Sequence, residues 1–293
     1  MLNRRARRFN SGLLSWGLFS LLFSLPVANR PDPPVLDCAS YLLMDPDTGE
    51  LLACRDIHAI RAPASTTKMM TALLAVELGD PDELVTISHG AALEDGASLR
   101  LEEGERIPLG DLTHAMIVKS GNDGAVAIAE HFGGSVQGFA ELMNSRAHEL
   151  CMTDTHFVNP NGMPDDNHVS SAYDLALLAR EFLSHPELKE WVSEQEVHFD
   201  RFGNREDVTF ESTNYLLDIF PLANGIKTGY TNDAGYCLVA SAAWRDKNLI
   251  AVVLGCERNT QWDQAIQLFD YGFSSYDPEY LTFRALYDNE VFF

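Results

Sequence analysis

The chain has 293 residues, 46% of them hydrophobic, with 16 Phe, 9 Tyr and 4 Trp. That is enough apolar surface for one large domain or two modest ones, and it excludes a mostly disordered chain. With 43 acidic against 21 basic residues the formal charge is -22, which argues against nucleic acid as a partner, and five Cys, an odd count, argue against a disulfide scaffold.

The charge is unevenly placed. Arg4, Arg5, Arg7 and Arg8 precede an apolar stretch from Gly12 to Leu25, and no acid occurs before Asp32. A basic start and a short apolar run read as a secretory signal over residues 1–28 or, uncleaved, as an N-terminal membrane anchor. The run is shorter than the ~20 residues of a full span. Either way the remainder is expected outside the cytoplasm. Residues 29–35 (NRPDPPV) form an extended linker.

Cys38–Met44 and Glu50–Cys54 flank a Pro/Asp/Gly turn and read as a β-hairpin. Thr66 to Leu78 (TTKMMTALLAVEL) reads as a helix buried on most sides, with Gly79 as its expected C-cap. Residues 80–108 suggest short strands and turns. Leu109–Val118, Ala125–Phe132 and Val136–Leu150 are expected helices, and residues 153–169 an expected loop with the turn signal Asn159-Pro160-Asn161-Gly162. Ser171-Ala172-Tyr173-Asp174 is a capping box opening a helix to about Leu183. Strands follow at Ile226–Thr231, Gly235–Trp244 and Leu249–Gly255, and a helix over Trp262–Tyr271 closes the domain. Strands at both ends of the chain can share one antiparallel sheet. The expected fold is therefore a single α/β (α+β) sandwich, with the closing helix on one face and a helical block on the other.

Three short motifs carry chemistry. In Pro63-Ala64-Ser65-Thr66-Thr67-Lys68, Ser65 and Lys68 lie one turn apart on one helix face. A serine hydroxyl needs a base to become a nucleophile, and a lysine is that base only when burial or a neighbouring cation lowers its pKa. Ser120-Gly121-Asn122 joins two helices; its serine can relay a proton and its asparagine can hold an amide or the lysine. Lys227-Thr228-Gly229 lies on a strand, where glycine lets a ligand approach closely and the cation can bind a carboxylate. Each alone has a plain structural alternative: a serine near a helix start, a pair of helix caps, or a lysine guarding an edge strand.

Together, S-x-x-K, S-x-N and K-T-G in this order resemble the signature of penicillin-binding proteins. The stretches PASTTKMMTALLAVE, SLRLEEGE, KSGNDGAVAIAEH, THFVNPNGM, SAYDLALLARE, NGIKTGYTNDAGYCLVASA and LFDYGF extend the likeness from about Leu36 to Tyr276. The chain closely resembles the low-molecular-weight penicillin-binding proteins that are D-alanyl-D-alanine carboxypeptidases, serine peptidase family S11, of the β-lactamase/transpeptidase-like superfamily. The resemblance implies the β-lactamase/DD-peptidase type of sandwich with a helical subdomain and a catalytic domain over 36–276; the expected short tail over 277–293 departs from the many members that carry an additional C-terminal β-domain.

It also implies roles. Ser65 attacks the penultimate D-Ala carbonyl of a peptidoglycan stem peptide, and Lys68 takes its proton. Ser120 passes a proton to the leaving D-Ala, and Asn122 positions substrate and Lys68. Lys227 and Thr228 bind the terminal carboxylate or polarise Ser120. Gly229 and Asn161 belong to the substrate site, and the N–H groups of Ser65 and Tyr230 form an oxyanion hole. No metal or organic cofactor is implied, and β-lactams are expected to acylate Ser65.

Some positions depart from the family pattern. Where relatives place an Arg before the aromatic that opens the last helix, this chain has Gln261-Trp262; Arg258 is the candidate substitute. Tyr173 replaces the Arg of the usual SARDLA. His148 and Cys151 lack a second ligand pair with zinc-like spacing. Leu101–Glu105 is expected to be a solvated turn. Cys237 and Cys256 are expected in the core, and Cys38 and Cys54 sit poorly for a disulfide. A DD-endopeptidase and a wall protein that acylates without turnover remain alternatives. A class A β-lactamase is disfavoured, because the THFVNPNGM segment carries no equivalent of the deacylating glutamate.

Overall fold

Three runs late in the chain, each long enough to cross a sheet, supply three strands of its main sheet. The structure is a computed structural model that describes residues 32–201 and 206–290; residues 1–28 and the start of the linker, 29–31, lie outside them. Strands β1 (Ser40–Met44) and β2 (Leu51–Arg55) form the early hairpin. Strands β7 (Ala223–Thr231), β8 (Gly235–Trp244) and β9 (Lys247–Cys256) form an antiparallel meander. β1 pairs antiparallel with β9, with Tyr41 opposite Val253, giving one five-stranded sheet in the order β2-β1-β9-β8-β7. Two small two-stranded antiparallel sheets accompany it: β3 (Leu84–Thr86) with β4 (Arg106–Pro108), and β5 (Glu196–Phe199) with β6 (Val208–Glu211).

Side chains alternate across the sheet. Leu42, Val239, Ile250 and Val252 join one buried cluster, and Leu43, Leu238, Ala251 and Val253 the other. The first cluster is completed by α1 (Lys68–Leu78), α2 (His89–Ala92), α3 (Leu109–Lys119), α4 (Asn122–Gly133), α5 (Val136–Glu149), α6 (Ala172–Phe182) and α7 (Pro186–Trp191). The second is covered by α8 (Leu216–Ile219), α9 (Gln261–Tyr276) and α10 (Glu279–Glu290). The expected sandwich is therefore the observed one.

Several local expectations change. Residues 277–293, read as a tail, contain α10, whose Tyr280 is fully buried and edge-on to Trp244. Gly79 is not a left-handed cap; its φ is −120°. Its need is space, since a Cβ there would lie 2.3 Å from Leu109 Cδ2 and 2.7 Å from Phe132 Cζ. The Ser171 cap forms, with its hydroxyl accepting from Asp174 N at 3.2 Å. The Asp174 carboxylate instead accepts from the Asp154 N–H and the Thr155 hydroxyl, both at 2.7 Å. The expected solvated turn over 101–105 is solvated only in part, because Glu105 forms a bidentate pair with buried Arg201. All five cysteines are free thiols, with Cys237 and Cys256 in the core.

Candidate active site

The first helix does not begin at Thr66 as an α-helix. Residues Ala64–Thr67 form a 3-10 turn that runs straight into α1. Ala64 adopts φ +49°, a left-handed conformation unusual for a residue with a Cβ. This turn leaves Ser65 partly exposed between buried neighbours. Every residue from Lys68 to Ala75 is buried, because α1 carries apolar side chains on all sides.

Lys68 is fully buried, and its Nζ lies 3.1 Å from Ser65 Oγ, 2.7 Å from Asn122 Oδ1 and 2.7 Å from the Asn161 carbonyl oxygen. Burial drives its pKa well below the ordinary lysine value, and the charge of Lys227 pushes the same way; Asp123 and Glu94 oppose. A neutral amine has two N–H bonds and one lone pair. With both carbonyl-type oxygens taking hydrogens, the lone pair is left for the Ser65 hydroxyl.

Ser120 ends α3 in the left-handed conformation, φ +67°, and α4 opens at Asn122. The two-residue join brings Asn122 to Lys68 on α1 and Ser120 to Lys227 on β7. The Asn122 amide nitrogen donates to Asp95 O at 2.6 Å, which turns Oδ1 toward Lys68. The next residue is a functional part that motif reading missed. Asp123 is buried, and its carboxylate accepts from the Leu99 and Leu101 backbone and from Ser98 Oγ. It fastens the loop whose Asp95 carbonyl holds Asn122. The sequence signal was available: an acid at the first turn of a helix, inside an otherwise apolar segment.

Lys227 on edge strand β7 is buried at 1% exposure, not a solvent-facing guard. It donates to Ser120 Oγ at 2.9 Å and to Thr228 O at 3.1 Å. Burial lowers its pKa to about 7. Thr228 Oγ1 bonds Thr213 Oγ1 at 2.9 Å. Gly229 is where the strand meets the turn that carries Ser65: a Cβ there would lie 3.0 Å from both Ser65 N and Ala64 Cβ. Tyr230 follows at the rim, 52% exposed, with its ring 4.4 Å from that of Tyr236.

Asn161 reaches the site through its backbone carbonyl, not its amide, which bonds Glu94 Oε1 at 2.8 Å. Gly162 packs against the Ala64 carbonyl. Arg258 is the exception. It is exposed in the turn after β9, and among the described residues no hydrogen bond or ion pair joins it to the site.

A serine and a buried lysine on the first core helix, faced by an S-x-N turn and an edge-strand K-T-G, define the serine–lysine class of the β-lactamase/DD-peptidase fold. The profile of the peptidase S11 family, described as D-alanyl-D-alanine carboxypeptidase, matches residues 27–258. The chain belongs to that family. It is 36% identical over 258 residues to the D-alanyl-D-alanine carboxypeptidase DacF of Bacillus subtilis (strain 168), covering 85% of this chain and 65% of that one. It is 38% identical over 240 residues to DacD of Escherichia coli (strain K12), covering 78% of this chain and 60% of the relative. The crystal structure of DacD from Francisella tularensis superposes with a TM-score of 0.79 at 30% identity, over 84% of this chain and 72% of that chain. The chain thus spans less than two thirds of the length of the first two relatives.

Proposed function

We propose that the chain is a serine-type D-Ala-D-Ala carboxypeptidase. It removes the terminal D-Ala from peptidoglycan stem peptides through an acyl-enzyme on Ser65, and β-lactams block it by acylating the same serine. The observation that carries this reading is the placement of buried Lys68, whose Nζ lies 3.1 Å from Ser65 Oγ and 2.7 Å from each of two oxygen acceptors, Asn122 Oδ1 and Asn161 O.

Lys68 takes the hydroxyl proton as Ser65 Oγ bonds to the penultimate D-Ala carbonyl carbon. The oxyanion is held by the N–H groups of Ser65 and Tyr230, preorganised where strand and turn meet. Ser120 passes its proton to the departing amine as the C–N bond breaks and takes the proton that Lys68 acquired from Ser65, which returns Lys68 to the neutral amine, while Lys227, donating to Ser120 Oγ, orients that hydroxyl and keeps its charge. Water then attacks the ester, giving its proton to Lys68, and Ser65 Oγ leaves reprotonated. Lys227 and Thr228 receive the substrate carboxylate. Export to the cell envelope belongs to the same proposal, with attachment through residues 12–25 if they are retained. No helix among the described residues is long and apolar enough to cross a membrane.

D-Alanine release from a peptide ending in D-Ala-D-Ala tests the reading on the full chain. Ser65→Ala is expected to abolish both release and labelling by a fluorescent penicillin. Labelling that survives the substitution would assign the nucleophile elsewhere.

Lys227 adds a pH dependence. It is charged below about pH 7 and neutral above, so its grip on a carboxylate is present at lower pH and lost as pH rises through that value. Since kcat/KM reports the free enzyme, it should fall above about pH 7 for carboxylated peptides but not for uncharged acyl esters. The same falling limb with both substrates would remove Lys227 from carboxylate binding.

A further inference from the structure

One buried titratable group lies against the nucleophile turn and takes part in none of the steps above: His168, 2% exposed. Its ring has a defined hydrogen-bond direction. The Val158 N–H donates to Nδ1 at 3.1 Å, so Nδ1 bears the lone pair and Nε2 bears the hydrogen. Nε2–H therefore donates to Thr67 Oγ1 at 2.8 Å, and the Thr67 hydroxyl donates in turn to Ala64 O at 2.8 Å. Ala64 immediately precedes Ser65 and holds the left-handed φ of +49°.

A threonine hydroxyl alone can swing between acceptors. With Nε2–H on its oxygen, its own hydrogen is committed to the Ala64 carbonyl. The same loop is fastened to α1 at two further points, Asn161 O to Lys68 and Pro160 O to Thr71 at 2.6 Å. His168 adds a third tie, on the turn that carries Ser65.

We propose that His168 is a positioning residue for the nucleophile: through Thr67 it holds the Ala64 carbonyl, and with it the left-handed turn that sets Ser65 Oγ against Lys68. The proposal rests on Ser65 being the acylated residue. Burial lowers the imidazole pKa to about 4, with His156 and Lys68 pushing the same way and Asp165 opposing. The ring therefore keeps one neutral tautomer across the working range of pH.

The test is the acylation rate of the full chain by a fluorescent penicillin, with the acylation step separated from the preceding binding constant. His168→Ala and Thr67→Val are each expected to slow the step at least tenfold, and the double variant no more than the slower single one. His168→Gln keeps a donor where Nε2 stood and should recover to within about threefold of the native rate. His168→Asn reproduces only the Nδ1 side and should not. Equal rates for Gln and Asn, or a lowered melting temperature with a native rate, would overturn the proposal. Should His168→Ala not fold, the Gln and Asn pair still decides. Hydrogen exchange of residues 64–68 gives a readout that needs no substrate. Faster exchange in His168→Asn than in His168→Gln supports the tie, and native protection in both overturns it. A native protein that penicillin does not label, yet whose exchange follows this pattern, would sink the carboxypeptidase reading and leave the tie standing.

Discussion

Lys68→Met is expected to slow acylation of Ser65 by a fluorescent penicillin at least 10³-fold while the protein stays folded. A positioned general base contributes on the order of 10²–10⁴ in rate, and 10³ corresponds to about 4 kcal/mol of barrier. Here the base also fixes the nucleophile, since Nζ lies 3.1 Å from Ser65 Oγ. Methionine fills most of the lysine volume without a charge to desolvate. It leaves Asn122 Oδ1 and Asn161 O without their donor, at about 1–3 kcal/mol each, while the cost of burying an ammonium-forming group disappears. These effects oppose each other, so the melting temperature should move little. The native rate should rise with pH as Lys68 deprotonates, because only the neutral amine accepts the serine proton, and the variant should lose that limb. Time-resolved labelling checks both. A folded Lys68→Met within tenfold of the native rate would remove Lys68 as the base.

The burial that lowers the Lys68 pKa was legible in the sequence. TTKMMTALLAVEL has no polar face on which a lysine could reach water, so Lys68 had to be buried. The three motifs in chain order, and strands at both ends of the chain, likewise implied the site and the sheet. The supporting contacts were less legible, because they depend on groups distant in sequence or on backbone atoms that any residue supplies. Asn161 stands 93 residues from Lys68 and contacts it through a carbonyl. His168 stands 101 residues from Thr67, and its helix-free segment offers no periodicity to place it. Asp123 serves mainly the Leu99 and Leu101 backbone N–H groups, partners with no side-chain signature. Arg258 shows the reverse: a charge near the right place in the sequence that the turn after β9 leaves in solvent.

Gly162→Ala should be among the most damaging single-methyl additions to the site, although Gly162 has no side chain to lose. Two costs combine. Its φ of +85° strains any L-residue, at roughly 1–2 kcal/mol. The added Cβ would also lie 1.9 Å from Ala64 O, 2.3 Å from Ala64 C and 2.9 Å from Ser65 N. These are backbone atoms with no rotamer to escape into, so relief requires the nucleophile turn to move by about 1 Å, a displacement that can cost 10²-fold in rate. The expected result is at least a 10²-fold loss in acylation rate, with a destabilisation of about 3 kcal/mol, or roughly 6–12 °C in melting temperature. Gly104→Ala separates the two causes. Gly104 has a nearly equal φ of +81°, but nothing lies within 4 Å of its added Cβ. It should show the backbone cost alone, a few degrees in melting temperature with acylation unchanged. If Gly162→Ala behaves like Gly104→Ala, the close packing of the 159–163 turn on Ala64 does not set the position of Ser65.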